Sequence, residues 1–171
     1  MQFNTYGGTG SVLAADLLNA PDHTAATLAV ILRRNSVTKP NIDAGQAAEL
    51  AGWIERLRPL FGEEDLDRQI ALVNELLTDA ATGVQVSRHD GSDPHLHYVT
   101  QTVGTVPRVR AATAGGLAIA ICGAGGHRLG RCGRTGCGTA YVDTSRNGRR
   151  RFCSVACANR VNVAAHRARA R

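Results

Sequence analysis

The sequence predicts an α+β fold: a mostly helical N-terminal domain with one β-hairpin, followed by a small treble-clef-like module. Three observations carry this expectation. Segments 43–61 and 63–81 repeat apolar residues at helical spacing, and residues 84–100 then alternate at period two. Near the C-terminus, Cys132, Cys137, Cys153 and Cys157 form two close pairs on either side of an Asn147-Gly148 turn.

Charge divides the chain at the same place as the fold class does. Residues 127–171 carry eleven arginines against one acid, Asp143, a local charge of +10, whereas residues 1–126 carry nine Lys/Arg against thirteen Asp/Glu, or −4. An acidic body with a strongly basic arm suits a polyanionic partner. We therefore divide the chain into residues 1–125 and 126–171, with Gly123-Ala-Gly-Gly126 as the boundary. The most apolar stretch, 111–126, is too short and too rich in Gly and Ala to span a bilayer, so no membrane partner is expected. The N-terminus lacks a basic start followed by an apolar run, so the cytoplasm is the expected compartment.

In chain order, Tyr6-Gly-Gly-Thr-Gly10 reads as a turn, because neither a P-loop lysine nor the three-glycine dinucleotide spacing follows. Leu13, Leu17 and Leu18 then share a helical face, which Asn19-Ala-Pro21-Asp22 ends. Asp22 is expected to cap a second helix running to Arg34, with Leu28, Ile31 and Leu32 inward. Asp43 caps a third, whose apolar positions Ala47, Leu50, Ile54, Leu57 and Phe61 face one way until Gly62 breaks it. A fourth, from Glu63 to about Ala81, has acids in its first turn and Leu66, Ile70, Val73, Leu76 and Leu77 as its core face.

Val84–Arg88 and Leu96–Thr100 are the hairpin strands, with Asp90–Pro94 as turn chemistry between them. His95 and His97 share a face there, and with His89 they could suggest a metal site, but no carboxylate or cysteine stands at supporting spacing. Pro107 suits the first turn of a helix carrying Val109, Leu117, Ile119 and Ile121, and Cys122 in that run reads as a buried small hydrophobe.

Cys132 and Cys137 bracket four residues, two of them glycine, which permits a tight knuckle. Thr139–Asp143 and Arg149–Phe152 read as short strands around Asn147-Gly148, with Asp143 a diagonal neighbour of Arg150 and so either structural or functional. Cys153 and Cys157 lie one turn apart at a helix start, where free N–H groups stabilise thiolates. Two ligands from a knuckle and two from a helix describe a closed, structural four-thiolate site for one Zn2+, with Cys132, Cys137, Cys153 and Cys157 as ligands. Binding of about 10–16 kcal/mol would fold a module with little apolar content of its own.

The exit helix, 154–169, places Asn159, Asn162 and His166 on one face away from the cysteines, with Arg167 beside them. Asn suits adenine edges, and Arg suits guanine edges or phosphate, so the face fits a DNA major groove. Asn159 and Arg160 fit two roles, contact with DNA or hydrogen bonding that locks the knuckle. His166, Arg167 and Arg169, further out, fit phosphate contact, as do Arg149, Arg150 and Arg151 ahead of Cys153.

The run Cys-x4-Cys, Asp-x-Ser-Arg-Asn-Gly-Arg-Arg-Arg-Phe-Cys-Ser, Cys-Ala-Asn-Arg and Ala-Ala-His-Arg-Ala-Arg resembles the CGNR-type zinc finger over residues 131–170, departing from it at Ala158, where glycine is typical. Leu13-Ala-Ala-Asp-Leu-Leu-Asn19 resembles the start of the helical ABATE-like domain that accompanies such fingers, with Ala20 where threonine is usual. The resemblance implies a bacterial stress-response transcription regulator, nucleoid-associated, that binds double-stranded DNA and is not an enzyme. Its N-terminal domain would sense a small-molecule effector or mediate homodimerisation. Two other classes stand beside it: an RNA-binding or ribosome-associated zinc protein, and a small-molecule enzyme or binding protein using His95 or His97.

Overall fold

A computed structural model describes residues 8–87, 95–98, 104–124 and 126–169. Among them are six helices and two small antiparallel hairpins, in the order α1 Gly8–Leu18, α2 Ala25–Arg34, α3 Ala44–Leu57, α4 Leu66–Ala80, β1 Gln85–Ser87, β2 His95–His97, α5 Thr105–Ala124, β3 Leu129–Arg131, β4 Ala140–Val142 and α6 Val155–Arg169. His89 and the expected strand ends at Arg88, Val99 and Thr100 lie outside the described residues.

α5 is the axis of the body. Its Gly116 meets Gly10 of α1 so closely that a methyl group at Gly10 would stand 2.1 Å from the Ala112 carbonyl oxygen, and one at Gly116 2.5 Å from the Ser11 nitrogen. The glycine cluster expected to be a turn is therefore helical from Gly8, and glycine is needed at position 10 for backbone approach. On an adjacent face of α5, Trp53 of α3 is buried and donates its Nε1–H to Thr113 Oγ1 at 2.9 Å.

The helix caps correct and refine the sequence reading. Thr24, not Asp22, caps α2, and Asp22 in turn accepts from the Thr24 N–H at 3.0 Å and hydroxyl at 2.7 Å. Asp43 forms a reciprocal capping box with Gln46, worth about 1 kcal/mol. α3 stops at Leu57 rather than Phe61 and continues as a single 3-10 turn over Arg58–Leu60. Pro59, within that turn, has no N–H to extend the α-helical ladder.

α4 is rotated from its expected face. Gln69, Val73, Leu76 and Ala80 are buried, while Leu66 and Ile70 are exposed. Gln69 can be buried because its side-chain N–H donates to the Leu60 carbonyl at 3.0 Å, closing the α3–α4 connection. Cys122, expected to be buried, is exposed.

The C-terminal module shares the body's core. Leu129, Ala140 and Val142 join the cluster formed by the helices. β3 pairs with β4 (Leu129 opposite Val142, Gly130 opposite Tyr141), so the hairpin encloses the cysteine knuckle. The expected pairing of 139–143 with 149–152 around Asn147-Gly148 does not occur; 149–152 carry no strand. Leu129 and Val142 are apolar and reach the core, whereas three consecutive arginines at 149–151 offer no face to bury.

The helical body covers both outer edges of the hairpin. Asn19 Nδ2 donates to the Ala140 carbonyl at 2.8 Å, and Asn19 Oδ1 accepts from the Ala140 N–H at 2.9 Å. Gly62 N–H donates to the Leu129 carbonyl at 2.8 Å. Arg131 reaches back to the carbonyls of Phe61 and Arg58, each at 2.9 Å.

Candidate metal centre and nucleic-acid interface

The knuckle is built by backbone geometry. After β3, the Cys132 N–H donates to the Thr139 carbonyl at 2.9 Å, and the Cys137 N–H to the Arg134 carbonyl at 3.0 Å. Gly136 and Gly138 take φ of +75° and +64°, which curl the loop so that both sulfurs face inward. The returning chain docks when the Gly133 N–H donates to the Arg151 carbonyl at 2.9 Å. Ser154 then caps α6, its Oγ accepting from the Cys157 N–H at 3.2 Å, which brings the last two cysteines to one side of the first turn.

The four sulfurs lie within 4.8 Å of one another. Cys137–Cys153, Cys137–Cys157 and Cys153–Cys157 are separated by 3.7, 3.9 and 3.6 Å. A tetrahedron with Zn–S bonds of about 2.3 Å has edges of about 3.8 Å, so the spacing is that of a zinc tetrathiolate. The sulfurs are too far apart for a disulfide, and none of the four cysteines is in one. The protonation chemistry agrees. Hydrogen bonds from Thr139 draw the Cys137 thiol down to about 5, while burial and the adjacent sulfurs push Cys153 up to about 11. Without a cation the cluster cannot hold four thiolates; a bound Zn2+ displaces the protons that remain.

The arginines of this module divide into two groups. Four build the fold. Arg134, which the sequence reading left without a role, donates Nε–H to Cys157 Sγ at 3.2 Å, and Cys157 and Cys137 together hold its guanidinium more firmly protonated. The signal was present: a −2 tetrathiolate needs a nearby cation, and Arg134 lies between two ligands. Arg150 lies over the Tyr141 ring at 4.7 Å and donates to the carbonyls of Phe152 (2.9 Å), Val142 (3.3 Å) and Cys153. Arg128 is buried and donates to the carbonyls of Asp143 and Ser145, and Arg131 latches the hairpin to the body.

Asp143 belongs with this group. It is 1% exposed and accepts from the Ser145 N–H at 2.9 Å and the Arg150 N–H at 2.8 Å. Burial alone would raise its carboxyl, but these hydrogen bonds and Arg128 outweigh burial and hold it below the usual carboxylate value. Its partner at Arg150 is the backbone N–H, not the diagonal side chain expected from a strand pair.

The second group faces water. Arg146, Arg149, Arg160, Arg167 and Arg169 are exposed and make no side-chain hydrogen bond or ion pair among the described residues, and Arg151 rests against the Phe152 ring at 6.0 Å. Asn159 and Arg160 form no hydrogen bond to the knuckle; the thiolate contact comes from Arg134 instead. Every described residue from Asn162 to Arg169 is exposed, so the last two turns of α6 project from the module. His166, Arg167 and Arg169 in the last turn complement the negative end of the helix dipole. Ala158 continues the helix, its N–H donating to the Ser154 carbonyl at 3.1 Å, so the methyl group there is accommodated.

No curated protein gives a significant match to the chain. The family model of the CGNR zinc finger matches residues 128–170. Residues 128–170 are therefore a CGNR zinc finger, holding one structural Zn2+ on Cys132, Cys137, Cys153 and Cys157.

Proposed function

We propose that the protein is a DNA-binding transcription regulator in which the zinc site holds a basic helix rigidly enough to enter a major groove. The observation that carries this reading is the projecting, acid-free end of α6, with Asn159, Arg160, Asn162, His166, Arg167 and Arg169 in water on a closed metal anchor. Arg149 and Arg151, just ahead of the ligand Cys153, meet phosphates, whereas Arg150 contributes by shaping the loop that carries them. Asn159 and Asn162 read base edges, and the arginines position the helix on the backbone. On this reading residues 1–125 form an ABATE-like regulatory body, with no catalytic role, in a bacterial stress-response regulator associated with the nucleoid.

The test is the salt dependence of duplex binding. Each phosphate neutralised contributes about 0.9 to the slope of log K against log salt, so replacing Arg149, Arg151 and Arg167 by alanine should reduce the slope by up to about 3. An unchanged slope would refute the assignment. Arg150→Ala should instead lower thermal stability, because it leaves three carbonyls without their donor. Competition with structured RNA separates the DNA reading from an RNA-binding role.

A further inference from the structure

The repeat of α4 writes more apolar surface than the monomer buries. Residues advance about 100° per position along a helix, so Leu66, Ile70 and Leu77 point the same way, beside the buried row of Gln69, Val73, Leu76 and Ala80. Leu66 and Ile70 remain 41% and 39% exposed. Further along, Leu77 and Ala81 form one wall of a cavity of ≈ 630 Å³ whose other wall is Ala118, Ile119 and Cys122 of α5.

The first hairpin extends the same face. Val86 stands opposite Leu96 in the β1–β2 register, and Val84, two residues before Val86, lines the groove. This apolar face meets α5 through Tyr98, whose ring occupies the space above Gly115. On the same face Val86 remains 74% and Leu96 45% exposed. Among the described residues, no Asp, Glu, Lys or Arg lines the groove.

We propose that this face joins two copies of the chain about a two-fold axis. A two-fold interface sets a patch against itself, so any charge within it would meet its own copy. Among the described residues the patch carries none, and Asp67 and Asn74 lie one step around α4, at the rim. The five large exposed side chains present on the order of 500 Å² of apolar surface, at the upper end for the largest patch on a monomer. Doubling it gives about 1,000 Å², where specific interfaces begin. A small molecule filling the groove would still leave Val86 and Leu96 in water. The choice of a second copy over a different protein rests on the DNA-binding reading, because one small finger buries little surface and a two-fold pair doubles it.

The experiment is sedimentation of the full-length, zinc-loaded protein over a concentration series, with Leu66→Glu/Ile70→Glu and, separately, Val86→Glu. The wild type should approach twice 18.1 kDa, and both variants should stay at 18.1 kDa with unchanged circular dichroism and zinc content. Cys122 supplies a second readout, since it lines the groove: alkylation should be slow in the dimer and fast in either variant. A monomeric wild type overturns the proposal, whether or not an apolar dye then binds the groove. A dimer that survives both variants with unaltered Cys122 alkylation also overturns it. The DNA reading is separable. If the variants are monomeric and still bind duplex non-specifically, losing only cooperative binding to paired half-sites, both ideas hold. If the variants are monomeric but the wild type never binds duplex, the interface stands and the regulator assignment fails.

Discussion

Asn19→Ala tests how the finger is joined to the body. Asn19 acts as a one-residue strand: its amide donates to the Ala140 carbonyl at 2.8 Å and accepts from the Ala140 N–H at 2.9 Å. Alanine removes both hydrogen bonds. Left dry, each orphaned backbone group would cost about 1–3 kcal/mol. Asn19 is itself exposed, however, so water can reach the vacated edge and the net loss per hydrogen bond falls to about 0.5–1.5 kcal/mol. The expected total is near 2 kcal/mol, or roughly 4–8 °C in Tm for a chain of this size. Urea and thermal unfolding measure it directly, and metal analysis should show full zinc, since no ligand has been touched. Asn19→Asp should do no better than alanine, because it keeps the acceptor but turns a carboxylate oxygen toward the Ala140 carbonyl. Hydrogen exchange should show the Ala140 amide opening faster. A loss below about 0.5 kcal/mol with unchanged exchange at Ala140 would show that the apolar contacts of Leu129 and Val142 suffice to hold the module.

Zinc removal with a chelator should lower the midpoint of a single cooperative transition, because Leu129, Ala140 and Val142 belong to the helical core; a calorimetric trace in which the body melts unchanged would contradict this. Arg134→Gln should speed zinc transfer to a chelator and weaken metal affinity by about 10–100-fold, with Arg134→Lys partly restoring it, since the lost contact is a charge-assisted donor to Cys157. Asp143→Asn should cost about 2 kcal/mol at neutral pH, by weakening the acceptor for the N–H groups of Ser145 and Arg150. The folded carboxyl lies below its unfolded value, so its contribution is complete above about pH 4 and disappears as pH falls through the folded value. The gap between wild type and variant should therefore close in acid; a gap that stays constant would contradict the buried-carboxylate account.

The metal site was legible in the sequence because its information is local. Two cysteine pairs at knuckle and helix-start spacing define four ligands wherever the rest of the chain lies. The helices were legible for the same reason: caps such as Asp43 and repeats such as Leu50, Ile54 and Leu57 act within one or two turns. The charge division of −4 and +10 also needs no coordinates.

Tertiary structure decided what depends on partners far along the chain. Asn19 and Ala140 are 121 residues apart, and nothing near either names the other. Gly10 looks like a turn residue until α5 is laid across it at backbone distance. Leu66 and Ile70 carry a core pattern, yet whether they are buried depends on which side of α4 the body occupies. The arginines show the division most clearly. Composition counts eleven charges alike, but Arg128, Arg131, Arg134 and Arg150 hold the fold while Arg149, Arg160, Arg167 and Arg169 face solvent. Spacing along the chain determines which residues can act together over a turn or two; burial and hydrogen-bond pairing, which are non-local, determine which of them remain free to act on a partner.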